Sequence, residues 1–270
     1  MKARVIAFYL PQFHPFKEND EWWGKGFTEW TNVGKAKPLF KGHNQPRVPT
    51  ELGYYDLRLP IVREQQAQMA RDAGVEGFCY WHYWFGNGKR LIADIFDEVL
   101  NTGKPDFPFC LGWANHSWYA KNWNSDGTST NKLLMEQTYP GIEDEKMHFA
   151  FLVKAFKDKR YIKVNGAPLL YIFAPMDVPQ EYLDNFRQWT KEAGFPDLYL
   201  VGNIPSPKIT KEELLNRGYD AVTYQRLGGL TNKALSNMGR YGRFIYKYAE
   251  KIKGFLLHQP PFKTDYKKYL

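Results

Sequence analysis

Cysteine is scarce in this chain. Cys79 and Cys110 are the two present, which excludes a disulfide framework and a cysteine-rich zinc site. No apolar run approaches the roughly 18–20 residues needed to cross a bilayer. Met1-Lys2-Ala3-Arg4 is followed by only six apolar residues before Pro11, too short for a signal-peptide core. A reducing cytoplasm is therefore the expected compartment. His14, His43, His82 and His116 stand alone, without the spacing that a metal site uses, so no metal and no other cofactor is expected. A Gly-x-Ser-x-Gly nucleophile turn is also missing. Gly86-Asn87-Gly88-Lys89 comes nearest to a phosphate-binding turn. Leu91 takes the place of its third glycine, and no Ser or Thr follows the Lys.

What the chain does have is aromatic rings: 9 Trp, 18 Tyr and 19 Phe make up 17% of 270 residues. Its formal charge of +8 is local. Residues 1–207 are balanced, and 208–270 carry 13 basic against 5 acidic side chains. The high pI thus belongs to the tail, and nucleic acid is not an expected partner.

Apolar runs at 4–10, 77–85, 108–113, 167–174, 198–204 and 221–225 predict strands that are apolar on consecutive positions, as parallel strands covered on both faces are. Helical patterns at 57–73, 89–100, 144–158, 180–193 and 211–216 lie between them. Gly74 and Gly194 end two helices, Asp56 and Thr210 stand where caps belong, and Pro179 precedes a third start. The fold class is α/β. Polar and aromatic residues crowding the ends of several strands favour a (β/α)₈ TIM-type barrel over an open doubly wound sheet. Six βα units are visible rather than eight. The expectation is a barrel domain over 1–230, incomplete at its C-terminus, and a basic aromatic segment over 231–270 leading into the missing units.

The chemistry-bearing residues cluster after the first three strands: Tyr9-Leu10-Pro11-Gln12-Phe13-His14, Gly26-Phe27-Thr28-Glu29-Trp30-Thr31-Asn32-Val33, Cys79-Tyr80-Trp81-His82-Tyr83-Trp84-Phe85, and Trp113-Ala114-Asn115-His116-Ser117-Trp118. Aromatic faces beside amide, imidazole and carboxylate groups suit a sugar. Its CH faces stack on rings, and its hydroxyls need paired donors and acceptors. Tyr9, Trp30 and Trp113 are expected to stack on sugar, and His14, His82 and Asn115 to hold hydroxyls. His116 and Glu136 are expected to complete the binding site. Glycosidic-bond chemistry uses two carboxyl groups; Glu29 and Glu136 are the best visible candidates, ahead of Asp20, Glu21, Glu51 and Asp126, and Glu29 is the one that would act on substrate directly. The tail from Asn232 onward carries Arg240, Arg243, Lys247, Lys251 and Lys253 among aromatic residues. It reads either as a solvated helix on the barrel exterior or as a segment that meets an anionic membrane surface or a lipid-linked glycan.

These motifs, with His43-Asn44-Gln45-Pro46 and Glu136-Gln137-Thr138-Tyr139, closely resemble the WbsX family, described as glycosyltransferases or as glycoside hydrolase family 99-like proteins. The resemblance implies a (β/α)₈ barrel and a role in making or cleaving glycosidic bonds of bacterial surface polysaccharide, with an oligosaccharide or activated sugar as substrate. Two departures stand out. The family usually carries Glu-Asn where this chain has His116-Ser117. The family's late Trp-Asn-Glu-Trp-x-Glu-Gly motif, whose glutamates resemble a catalytic pair, does not occur here. A glycan-binding barrel without catalysis is accordingly the alternative reading.

Overall fold

The computed structural model describes residues 3–38, 42–123, 129–206, 208–224 and 248. Strand β1 (Ile6–Tyr9) is followed by two short helices, α1 (Lys17–Trp23) and α2 (Glu29–Lys35), and by α3 (Pro60–Asp72). Strand β2 (Gly77–Trp84), a short β3 (Arg90–Leu91) and α4 (Asp94–Thr102) lead to β4 (Phe109–Trp113). A hairpin of β5 (Trp118–Trp123) and β6 (Ser129–Met135) precedes α5 (Ile142–Phe156). Then come β7 (Lys163–Val164), β8 (Ala167–Ile172), α6 (Gln180–Glu192), β9 (Tyr199–Ile204), α7 (Lys211–Asn216) and β10 (Ala221–Tyr224).

The six expected strands form one parallel sheet in the order β1-β2-β4-β8-β9-β10, with a helix in each connection. A parallel sheet whose strands follow chain order is the curled wall of a (β/α) barrel. Strands β3 and β7 pair antiparallel with β2 and β8, and the β5–β6 hairpin stands apart from the sheet. The expected boundary at 230/231 and the basic tail fall outside the described residues.

Register divides each strand between two layers. Phe8 pairs with Cys79, Trp81 with Gly112, and Gly112 with Tyr171, so these positions share the inner face. There the Trp81 ring stacks on Phe8 at 4.8 Å and meets Tyr171 at 5.7 Å. Gly112 leaves the space they occupy: a β-carbon on it would lie 3.0 Å from Cys79 Sγ and 3.3 Å from the Tyr171 ring. The alternate positions, Tyr80, His82 and Trp84 on β2 and Leu111 and Trp113 on β4, face the helices and fill the main core.

That helix-facing core holds polar groups within it. His82 Nε2 and His148 Nε2 lie 2.9 Å apart, and His148 Nδ1 is 2.9 Å from the Tyr182 hydroxyl. Trp84 stacks on His148 at 4.6 Å. A bond between two imidazoles needs one donor and one acceptor, so the two rings cannot both be charged. Burial drives both histidine pKa values well below their ordinary position, and the nearby Arg90 charge adds to the effect. The Gly86-Asn87-Gly88 turn, with φ of 96°, 52° and 68°, also faces an internal partner. Gly88 N donates to Asp144 Oδ1 at 2.9 Å, and Trp84 Nε1 donates to the same carboxylate. The turn that looks most like a phosphate cradle therefore holds a side chain of α5.

The helix ends follow the expected chemistry with one correction. Thr210 and Glu213 form a capping box at α7, and Gly74 and Gly194 turn the chain after α3 and α6 at φ of 76° and 93°. Asp56 does not cap α3. Its Oδ1 accepts from Arg58 N at 2.9 Å in a local turn, and the helix begins at Pro60, whose fixed φ suits the first position.

The buried imidazole pair sets a pH dependence. Unfolding lets both rings bind protons near the ordinary value of 6.5, whereas the folded state refuses them. Stability is thus flat above that pH and declines below it, by up to about 1.4 kcal/mol per pH unit for each ring. Thermal melts between about pH 7.5 and about pH 5 should show Tm falling on acidification, and a His82→Phe/His148→Phe variant should show a smaller fall.

Candidate functional site

The segment after β1 carries α1 and α2, each seven residues long and too short to declare a helical period. Local bonds fix them. Asp20 Oδ1 accepts from Gly26 N at 2.8 Å. Thr28 Oγ1 accepts from Trp30 N, while Thr31 Oγ1 accepts from Thr28 N. Lys89 Nζ reaches Glu18 at 3.0 Å and ties α1 to the turn beyond β2. Trp30 Nε1 donates to the Tyr55 carbonyl at 2.7 Å, and its ring packs edge-on against Tyr54 and Tyr55. Trp30 thereby anchors one side of α2, and Glu29, its neighbour, turns into an open cleft.

That cleft, about 500 Å³, lies between α1, α2 and the hairpin that follows β4, over the C-terminal ends of β1 and β4. In parallel α/β barrels this is the end that carries the chemistry. Its polar lining is Gln12, Asn19, Glu29, Asn32, His116 and Ser117. Trp22, Trp23, Phe27, Trp118 and Tyr119 supply rings. Trp118 is the roof contact, 5.9 Å from Trp22 and edge-on to Tyr83 at 5.0 Å.

Glu29 is half-buried, and its Oε1 accepts from Gln12 Nε2 at 2.7 Å. Desolvation raises its pKa above the ordinary glutamate value. Burial also raises the Tyr83 pKa, and the Glu29 charge pushes it the same way. His116 packs on Phe173 at 4.8 Å, and burial lowers its pKa, which favours the neutral ring at neutral pH.

Of the residues expected from sequence, Glu29 and His116 meet in this cleft. The others do not. Trp113 is 1% exposed, and its Nε1 donates to the Trp84 carbonyl. His82 lies in the same helix-facing core. Asn115 clasps the end of β8: its Nδ2 donates to the Tyr139 hydroxyl and the Ala174 carbonyl, and its Oδ1 accepts from Ala174 N. His14 is buried away from the cleft. Tyr9 lines a separate, mostly apolar cavity of about 300 Å³ and donates to Gln66 at 2.6 Å. Glu136 is exposed just beyond β6, outside the cleft lining. For the three residues on sheet strands the cause is the pleat. Tyr9, His82 and Trp113 occupy the strand parity that faces the helices. The sequence reading missed Asn19, Trp22 and Trp23, whose i, i+3, i+4 spacing puts them on one face of α1.

The family model described as Glycosyltransferase WbsX matches residues 5–269. Two Xanthomonas campestris pv. campestris proteins named uncharacterized protein WxcX, from strains B100 and ATCC 33913, are 39% identical over 203 residues, or 74% of this chain. The chain spans 28% of the length of these curated relatives. A solved glycoside hydrolase-like protein superposes with a TM-score of 0.51 at 16% identity, over 95% of this chain and 69% of its own. The GH99 endo-alpha-mannosidase from Bacteroides thetaiotaomicron, bound to bis-tris-propane, gives 0.50 at 13% identity, over 95% and 67%. At such identities the likeness concerns the fold.

The Gln12–Glu29 bond favours the ionised carboxylate against the burial that opposes it. In a carboxyl-detected NMR titration, Glu29 should titrate above the ordinary glutamate range. Gln12→Leu should move the midpoint further up; an unchanged midpoint would show that the amide does not tune this carboxyl.

Proposed function

Because the chain belongs to the WbsX glycosyltransferase family, we propose that the cleft binds a sugar unit and that Glu29 acts in making or cleaving a glycosidic bond of a bacterial surface polysaccharide. The observation that carries this reading is Glu29 itself, a carboxyl group of raised pKa held by an amide within an aromatic cleft. Rings such as Trp22 and Trp118 offer faces for the sugar's CH groups, and the cleft is of a size that takes one or two sugar rings. A carboxyl that holds its proton more tightly than an ordinary glutamate is the better placed to protonate the departing glycosidic oxygen. Once ionised, it can accept a proton from an attacking hydroxyl.

Two carboxyl groups normally share this work. Among the described lining residues Glu29 is the one carboxylate, and this favours a second reading, a glycan-binding barrel without turnover. The first reading assigns the partner carboxyl to residues beyond those described. Within it the chain works in the cytoplasm, where the buried, unbridged thiols of Cys79 and Cys110 would persist. The basic segment 232–270 would meet an anionic membrane or a lipid-linked glycan; apart from Tyr248 it lies outside the described residues. Among the described residues no helix is long and apolar enough to cross a membrane.

Glu29→Gln should lower turnover of activated sugars or α-mannosides by about 10²–10⁴-fold, with glycan affinity by calorimetry close to that of the parent chain. Glycan binding without turnover in the parent would select the binding-only reading, and turnover unaffected by Glu29→Gln would remove Glu29 from the reaction.

A further inference from the structure

Asn19 is an anomaly in the α1 wall of the cleft. It is 1% exposed, and its Nδ2 makes no hydrogen bond with any described residue. Buried amide donors are nearly always paired, because leaving one unpaired forfeits the hydrogen bond it made to water. A second such atom lies across the same cleft: His116 Nδ1 is buried and likewise unpaired. The two belong to different elements, α1 and the segment after β4, and share one lining with Trp22 and Trp118.

Resting on the carbohydrate reading above, we infer that Asn19 and His116 form a hydrogen-bonding subsite that reads hydroxyl groups of a sugar ring laid against Trp22. Asn19 Nδ2 donates to a hydroxyl oxygen. His116, with its proton on Nε2, accepts a hydroxyl proton at Nδ1, the role a neutral ring performs and an imidazolium cannot. A hydroxyl group both gives and takes a hydrogen bond, so one unfilled donor and one unfilled acceptor match it better than they match a phosphate or carboxylate, which only accepts. Asn19 and Trp22 are one turn apart on α1 and therefore approach the same ring from one side. Because each pairing group meets a hydroxyl at one position on the ring, this subsite sets a preference of this chain among sugars. Both residues select substrate; neither is assigned a part in bond making.

The test uses the full chain and a panel of methyl α-glycosides of mannose, glucose, galactose, rhamnose and N-acetylglucosamine, with their monodeoxy forms, titrated by tryptophan fluorescence. The parent should bind at least one glycoside, and Trp22→Ala should weaken that binding. Asn19→Leu and His116→Phe should each weaken it about tenfold, the loss of one hydrogen bond to ligand. For each variant, one monodeoxy sugar that binds the parent more weakly should show no further loss, because the contact is already gone. Losses from variant and deoxygenation that simply add for every sugar would overturn the inference, as would unchanged binding by Asn19→Leu and His116→Phe alongside weakened binding by Trp22→Ala. Absence of binding by the parent to the whole panel would overturn the carbohydrate reading and the subsite together. Thermal melts provide a readout independent of ligand. Asn19→Leu should melt at or above the parent Tm, since it removes an unpaired buried donor; a marked drop would assign Asn19 to packing and overturn its part in the subsite.

Discussion

A parallel strand covered on both faces must satisfy two environments with alternate side chains, and the remainder of this structure depends on that division. On β2 the even-numbered residues from Phe78 to Trp84 enter the layer between sheet and helices. Cys79, Trp81 and Tyr83 turn to the inner face. The helix-facing set must fill a dry interlayer, so its polar members pair with one another, as His82, His148 and Tyr182 do. The inner set borders the space beneath the cleft, where Tyr83 supports Trp118 edge-on. Burial of the first set anchors the elements whose C-terminal ends carry the second.

The cleft is built by insertions on this wall. Helices α1 and α2 and the β5–β6 hairpin occupy connections that a minimal barrel would make short. Their attachment is polar at the edges and aromatic within: a Lys89–Glu18 ion pair, the Trp30–Tyr55 hydrogen bond, and the contact of Trp22 with Trp118. Because Trp30 spends its indole N–H on the backbone of Tyr55, α2 has a fixed rotation, and Glu29 has one direction in which to point. The carboxylate is then half-buried against the cleft wall. One amide offsets part of that desolvation, and the balance leaves a group whose proton is held more tightly than usual.

Two of the buried polar atoms that lack a partner among the described residues lie in the cleft lining, on Asn19 and His116. Others lie away from it, on His14 and on the guanidinium groups of Arg63, Arg90 and Arg217, while Asp144 and the His82–His148 pair of the helix-facing core are satisfied from within the chain. Stability favours satisfying such groups internally.

The sequence by itself determined the strand and helix order, because consecutive apolar positions, glycine stops and the Thr210 capping box are local signals that need no knowledge of what packs against them. It also picked out Glu29 and His116, since motif density marks the strand exits where a cleft forms. It did not reveal which residues of those motifs face the cleft. Tyr9, His82 and Trp113 belong to the same runs as Trp81 and Tyr83, and when both faces of a strand are apolar, composition carries no trace of the parity. Neither could it show α1 as a wall of the cleft, because seven residues are too few for periodicity to separate a helix from a loop. Tertiary structure decided these points: the register between neighbouring strands assigns each side chain to a layer, and the rotation of a short helix is set by what it packs on, here Tyr55 and Trp118.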